Sequence, residues 1–272
     1  MLIISRNNPT IKNMRALRER KERDRTGLCF LEGIRIVGGA AQQNADIQAL
    51  IIAPELLKSD FANALVQSQR ARNVSIIEVT RDVFESLSEK QGPQGIAAVV
   101  KQKWYALPSF SILNSKFLVA LDSPQDPGNI GTILRTSDAV GATGVILLGQ
   151  CADPYDPSAL RASMGAAFSQ QLVKASYDEF IAWKQANEFK VIGTSDKAEM
   201  DYRECAYASP IILLMGSERS GLASELQTVC DAIVRIPMLG RSDSLNLAVA
   251  AGVMLYAIRN MLDAQSSAGH LA

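Results

Sequence analysis

Five apolar runs follow residue 114, and those ending at 121, 215 and 236 pass through turn signals into helical patterns. The five cover residues 117–121, 145–148, 191–194, 211–215 and 233–236. Short runs that are apolar at nearly every position fit strands buried on both faces. This means an α/β fold whose parallel sheet is covered by helices. Helical periodicity falls at 130–140, 157–168, 177–186, 222–229 and 244–262. In such a sheet, ligands bind outside the carboxyl ends of the strands.

Three of those strand ends are crowded with glycine, proline and polar side chains. The first reads D-P-G-N-I-G-T-I-L-R-T over 126–136, the second L-M-G-S-E-R-S-G-L over 214–222, and the third I-P-M-L-G-R-S-D-S-L-N over 236–246. In the first, Gly128 and Gly131 free backbone N–H groups to face an anion at a helix start, Asn129 is placed to cap that helix, and Arg135 follows about one and a half turns later. In the second, Gly216 offers a bare backbone to a flat ring, and Glu218 opens the next turn. In the third, Pro237 and Gly240 bound an irregular turn, with Ser244 as the expected cap of the last helix and Asn246 beside it. Taken singly, each is as well explained by capping or a surface ion pair. Together they bring an arginine, a carboxylate, a hydroxyl and an amide to neighbouring strand ends.

Several chemistries are disfavoured. Neither G-x-G-x-x-G after a first strand nor G-x-x-x-x-G-K-[ST] occurs, so dinucleotide and P-loop sites are not indicated. The single histidine, His270, lies in the C-terminal tail, which argues against histidine catalysis and histidine metal sites. The four cysteines are scattered and form no ligand-like pairs, so no metal is expected and reduced thiols in a cytoplasmic protein fit best. No apolar run approaches the roughly 20 residues of a membrane span, and the N-terminus lacks the pattern of a secretory signal.

Residues 1–103 read as a separate, smaller α/β domain. Asn8-Pro9 starts a helix that should run to about Arg25. Strands follow at 29–31, 47–53, 74–79 and 96–100, helices at 34–41, 54–68 and 81–87, and a turn at 91–95. Residues 104–113, with proline and serines, suit a linker. Residues 114–263 form the second domain, and 264–272 a disordered tail. The net charge of zero hides an asymmetry. Residues 1–25 hold eight Lys/Arg against three acids, a balance of +5, and the remainder is at −5. Such a segment points to contact with a polyanion, or equally to a solvated helix face. The last helix is apolar or small nearly all round, so one side needs cover beyond its own sheet, which a second copy of the chain would provide.

The three loops, in this order and spacing, resemble the three sequence motifs of the SpoU-type (TrmH-like) RNA ribose 2′-O-methyltransferases of the SPOUT superfamily. N-P-x-I-K at the N-terminus, E-G-I-R at 32–35 and P-Q-G-I at 93–96 are similar to the substrate-binding domain of that family. The resemblance implies a C-terminal α/β-knot domain, with a deep trefoil knot in its parallel sheet. It also implies an N-terminal RNA-binding domain similar to a small ribosomal protein, and a homodimer through the final helix. S-adenosylmethionine would be bound around Gly216, Ile236, Met238 and Leu245, with Thr194 contributing from the preceding strand end.

By the same resemblance, Arg135 corresponds to the family's catalytic arginine, with Asn129, Glu218, Ser244 and Asn246 holding it and the ribose. An arginine keeps its proton at ordinary pH. Arg135 therefore either relays the ribose proton with help from a substrate phosphate or orients the ribose and stabilises its oxygen. Lys12, Arg15, Arg18, Arg20, Lys21 and Arg35 are the residues expected to meet RNA. One departure is Ala248, where some members carry a second serine after S-L-N. The expected substrate is large-subunit (23S) ribosomal RNA, with transfer RNA next. A non-catalytic RNA-binding protein on the same fold would be expected to lack one of the site residues, and all are present. A small-molecule enzyme on a plain sheet is disfavoured by the basic N-terminus.

Overall fold

The computed structural model describes residues 2–89, 92–111 and 113–268, with side chains through 265. Gln91 of the expected turn, His270 and the end of the expected tail lie outside the described residues. The chain forms two compact units, Met1–Lys103 with Asp153–Ser169, and Trp104–Ala152 with Gln170–Ala272.

The first unit contains β1 (Leu2–Ile3), α1 (Pro9–Ala16), α2 (Arg20–Thr26), β2 (Leu28–Glu32), α3 (Ile34–Gln42), β3 (Ile47–Ile52), α4 (Asp60–Ala71), β4 (Ser75–Val79), α5 (Arg81–Leu87) and β5 (Ile96–Lys101). Its sheet runs β1-β4-β3-β5-β2. β5 is antiparallel to both β2 and β3, and the other pairs are parallel. The single helix expected from Thr10 to Arg25 is two helices. The buried guanidinium of Arg23 supplies the reason, because it donates to the carbonyls of Leu17 (3.0 Å) and Arg18 (2.5 Å) that the break leaves open. Arg23 also pairs with Asp153 (2.6 Å) and Asp156 (3.2 Å), so this charge is spent inside the unit. Removing one partner of such a buried pair typically costs about 3–5 kcal/mol. The helix expected over 54–68 begins only at Asp60, where the Ser59 hydroxyl accepts from Ala62 N–H.

The second unit contains β6 (Phe117–Asp122), α6 (Pro127–Ala139), β7 (Gly144–Leu148), β8 (Gln171–Ala175), α8 (Tyr177–Gln185), β9 (Lys190–Thr194), β10 (Met200–Asp201), β11 (Ile211–Met215), α9 (Ser224–Gln227), β12 (Ala232–Arg235) and α10 (Leu247–Ala268). α7 (Pro157–Ser163) falls between β7 and β8 in sequence and belongs to the first unit. The sheet order is β10-β12-β9-β11-β6-β7-β8, and every neighbouring pair is parallel. β6, β7 and β11 are buried at every position, as their unbroken apolar character predicts. Each fully buried large aliphatic side chain contributes about 1.5–3 kcal/mol.

The stretch expected to be a linker is packed into this unit. Leu107 and Phe110 are buried in its core, and Tyr105 N–H donates to Leu172 O at 2.8 Å. Gly144 is bare because a Cβ there would lie 2.6 Å from the Phe110 ring. β8 and β10, unrecognised in the sequence, stand at the two edges, where polar residues interrupt the apolar run. α10 packs on α6 and β11, and its Ala251, Met254, Leu255 and Ile258 are buried. It continues to Ala268, past the expected start of a disordered tail, and Gln265 Nε2 donates to Tyr207 O at 2.7 Å. Contrary to the expectation from apolar runs, Leu247–Gln265 is long and apolar enough to cross a membrane by length and composition alone. Here one face of that helix belongs to the folded core.

Candidate functional site

β6 leads through α6 to β7 on one side of the sheet, whereas β11 leads through α9 to β12 on the other. The crevice between the carboxyl ends of β6 and β11 is therefore a point where the strand order diverges, the place such sheets leave open for a ligand. A cavity of about 610 Å³ opens beside it, at the carboxyl ends of β9, β11 and β12. Its walls come from the loop after β9 (Thr194 to Lys197), the end of β11 with its loop (Met215 to Gly221), and the segment between β12 and α10 (Ile236, Met238, Asp243 to Leu247).

All five residues expected at the cofactor, Thr194, Gly216, Ile236, Met238 and Leu245, line this cavity. Gly216 is required for a reason other than the expected one. A Cβ there would lie 2.3–2.7 Å from the backbone of Gly221 and Leu222, so its own loop fills the space that a side chain would take. That loop is closed by paired backbone hydrogen bonds between Ser217 and Gly221 at 3.0 and 3.1 Å.

Glu218, Ser244 and Asn246 also line the cavity. Asn129 joins them by hydrogen bonds. Its Nδ2 donates to Glu218 Oε1 at 2.9 Å, and its Oδ1 accepts from Asn246 Nδ2 at 3.0 Å. The helix caps fall on other residues than the sequence suggested. Asp126, not Asn129, caps α6, accepting from Asn129 N–H at 3.0 Å. That carboxylate occupies the helix start where an anion was expected. Asn246, not Ser244, caps α10, its Oδ1 accepting from Ala248 N–H (2.9 Å) and Val249 N–H (3.3 Å). A preceding serine and an adjacent asparagine are equivalent cap candidates on pattern alone, and the segment geometry selects Asn246. Arg135 is exposed on α6, two turns beyond Gly128 on one stripe with Thr132. It is not among the cavity-lining residues and makes no hydrogen bond or ion pair among the described residues.

The residues expected to meet RNA divide into two groups. Lys12, Lys21 and Arg35 are exposed. Arg15 is engaged with Ser86, and Arg18 with Leu87 O and Glu89, while Arg20 faces Asp24 one turn on. Sequence reasoning missed Ser195, Asp196 and Lys197 in the cavity wall, although they follow a strand adjacent to β11. It also missed Asp122, the buried last residue of β6. Asp122 accepts from Tyr177 OH and from Ala223 N–H (2.8 Å), and so fixes the start of α9 beside the Glu218 loop. Burial, and then the Asp122 carboxylate, pushes the Tyr177 phenol up, which keeps it a donor.

The profile of the SpoU rRNA Methylase family matches residues 116–256, and that of the MRM3-like substrate binding domain matches residues 8–98. The chain belongs to the SpoU family. A 23S rRNA (uridine(2479)-2′-O)-methyltransferase of Streptomyces viridochromogenes is 32% identical, over 97% of this chain and 94% of its own. A 23S rRNA (guanosine(2553)-2′-O)-methyltransferase of Bacillus subtilis is 28% identical, over 94% and 98%. Among solved structures, the AdoMet-bound rRNA methyltransferase from Sinorhizobium meliloti superposes with a TM-score of 0.88 at 36% identity, over 96% of this chain and 98% of its own. The three glycine-containing segments within the SpoU family match are joined by the Asn246–Asn129–Glu218 chain of hydrogen bonds.

Proposed function

We propose that this protein transfers a methyl group from S-adenosylmethionine to a ribose 2′-hydroxyl of large-subunit ribosomal RNA. The observation that carries this reading is that the second and third SpoU segments line one cavity, with Glu218, Ser244 and Asn246 among its walls, and that Asn129 of the first is hydrogen-bonded to two of those residues. The residues present fit the donor. The volume lies within the range of about 300–1,000 Å³ usual for small-molecule sites. Met215, Val234, Ile236, Met238, Leu245 and Leu247 give an apolar wall for a purine. The lining acids Asp196, Glu218 and Asp243 exceed the bases Lys197 and Arg219 by one negative charge. The donor's sulfonium and ammonium exceed its carboxylate by one positive charge.

When bound, the donor supplies a methyl group on a sulfonium, already a strong electrophile. The chain's own task is therefore chiefly to hold the hydroxyl in line. Glu218 orients the Asn129 amide, and Asn129 in turn orients Asn246, which leaves a fixed polar rim where the ribose would lie. A guanidinium only donates hydrogen bonds. Arg135 accordingly holds the ribose and stabilises charge building on its 2′-oxygen, while the proton passes to an acceptor outside the chain, such as the substrate's phosphate.

The same reading includes the trefoil knot, for which support comes from the path of the chain out to β12 and back to α10 against α6 and β11. It assigns the first unit to RNA binding as a small ribosomal-protein-like domain and places the enzyme in the cytoplasm. It makes the enzyme a homodimer through α10, whose outer stripe leaves Val249 53% and Tyr256 51% exposed. Ribose-methylation maps of total RNA from cells with and without the protein test the substrate. Loss of one 23S position is expected. A position lost from transfer RNA, or none lost, would contradict the assignment.

A further inference from the structure

We propose that Gln125, which stands just before the first SpoU segment, is a positioning residue that sets Glu218 for methyl transfer. The side-chain Nε2 of Gln125 donates to Ser123 O and to Gln150 O, both at 2.8 Å. It thereby spends both of its N–H bonds on tying the loop after β6 to the loop after β7. Ser123 sits at φ 48° and Gly149 at φ 68°, left-handed conformations that hold both loops in sharp turns. The brace presents the Gln125 backbone N–H to Glu218 Oε2 at 3.4 Å, the long end of the hydrogen-bonding range, while Glu218 Oε1 takes the Asn129 amide at 2.9 Å. Both carboxylate oxygens are thus held from the loop after β6 and the first turn of α6, and Gln125 decides where one of the two donors stands.

A glutamine is suited to this place. Two carbonyl oxygens need two donors from one planar group, and an amide of this length provides them. A glutamate of the same size would turn a carboxylate toward two carbonyls. Neither Gln125 nor either brace partner lines the cavity, so disturbing the brace leaves the donor's walls intact. The proposal rests on the reading of Glu218 and Asn129 as parts of the methyl-transfer site.

The test uses full-length protein, tritiated S-adenosylmethionine and ribosomal RNA from cells lacking the protein. Gln125→Ala keeps the backbone N–H but removes the brace that places it, and is expected to lower kcat about tenfold, near the lower limit for weakening a hydrogen bond to a charged group. KM for the donor and calorimetric affinity for S-adenosylhomocysteine should change less than about twofold. Gln125→Glu should be no better than alanine. In a Glu218→Gln background, itself expected to be slowed, Gln125→Ala should cost less than about threefold more, because the two act through one hydrogen bond. Full kcat in Gln125→Ala alongside a slow Glu218→Gln would overturn the role of Gln125 alone. Full kcat in Glu218→Gln would overturn the reading of the site and this proposal with it. A parallel loss of donor affinity, or fully multiplicative losses in the double variant, would make Gln125 a structural brace only.

Discussion

Asn246 Nδ2 donates to Asn129 Oδ1 at 3.0 Å, joining the start of α10 to the first turn of α6 across 117 positions of chain. The bond has a direction. Glu218 accepts from Asn129, so Asn129 must offer its oxygen to Asn246, and Asn246 must then turn its own oxygen to the open N–H groups of α10. One carboxylate thereby fixes two amides and a helix cap.

Asn246→Ala removes a cap and a link in this chain at once. We expect it to destabilise the protein by about 0.5–2 kcal/mol, the usual cost of losing a helix cap, and to slow methyl transfer. Urea denaturation measures the first effect. An unchanged midpoint would show that α10 does not depend on this residue.

Arg135 is exposed, makes no hydrogen bond or ion pair among the described residues, and stands apart from the cavity lining. Arg135→Ala should therefore abolish methyl transfer while leaving the melting temperature and S-adenosylhomocysteine affinity nearly unchanged. Lysine should restore little, since it lacks the planar fork of donors. Full turnover in the alanine variant would remove Arg135 from the mechanism.

Lys12, Lys21 and Arg35, exposed cations of the first unit, are expected to meet phosphate. Replacing all three by glutamine should weaken RNA binding and lower the slope of log K against log salt by about one for each phosphate no longer neutralised. Arg18→Gln should instead show up in stability, because its guanidinium holds Leu87 O at 2.7 Å and faces Glu89. Filter binding over a salt series separates the two. An unaltered slope in the triple variant would place the RNA elsewhere.

Hydrogen bonds from the Arg203 side chain and backbone hold the Asp201 carboxyl down at about 2. Its folded value lies below the ordinary carboxylate value of about 3.9, so its stabilisation is fully present above that value and is lost as pH falls toward 2. The stability gap between wild type and Asp201→Asn should accordingly be constant above about pH 5 and shrink toward pH 2. Denaturant titrations across that window give the answer. A gap that grew on acidification would contradict the arrangement.

Much of this architecture is readable in the residues. The unbroken apolar runs of β6, β7 and β11 announce a sheet covered on both faces, and the glycine-rich strand ends mark where a ligand would sit. What sequence patterning misses depends on neighbours distant in the chain. Arg23 looks like one more surface charge, and only Asp153 and Asp156, 130 and 133 positions away, reveal it as the buried centre of the first unit. Gln125 carries no signal in the sequence, and only Gln150 and Glu218 beside it give it a place. Asp126 and Asn129, like Ser244 and Asn246, are equally plausible caps on pattern, and only the backbone path chooses between them. β8 and β10 escape notice because edge strands need little apolar character.

The most direct test of the mechanism is chemical. Purified protein is incubated with tritiated S-adenosylmethionine and ribosomal RNA from cells lacking it, and the RNA is digested to nucleosides and resolved by chromatography. Ribose methylation at one site predicts label in a single 2′-O-methylnucleoside, approaching one methyl group per large-subunit RNA, and none with Arg135→Ala. Label on a base, or no transfer by folded protein that binds S-adenosylhomocysteine, would contradict it.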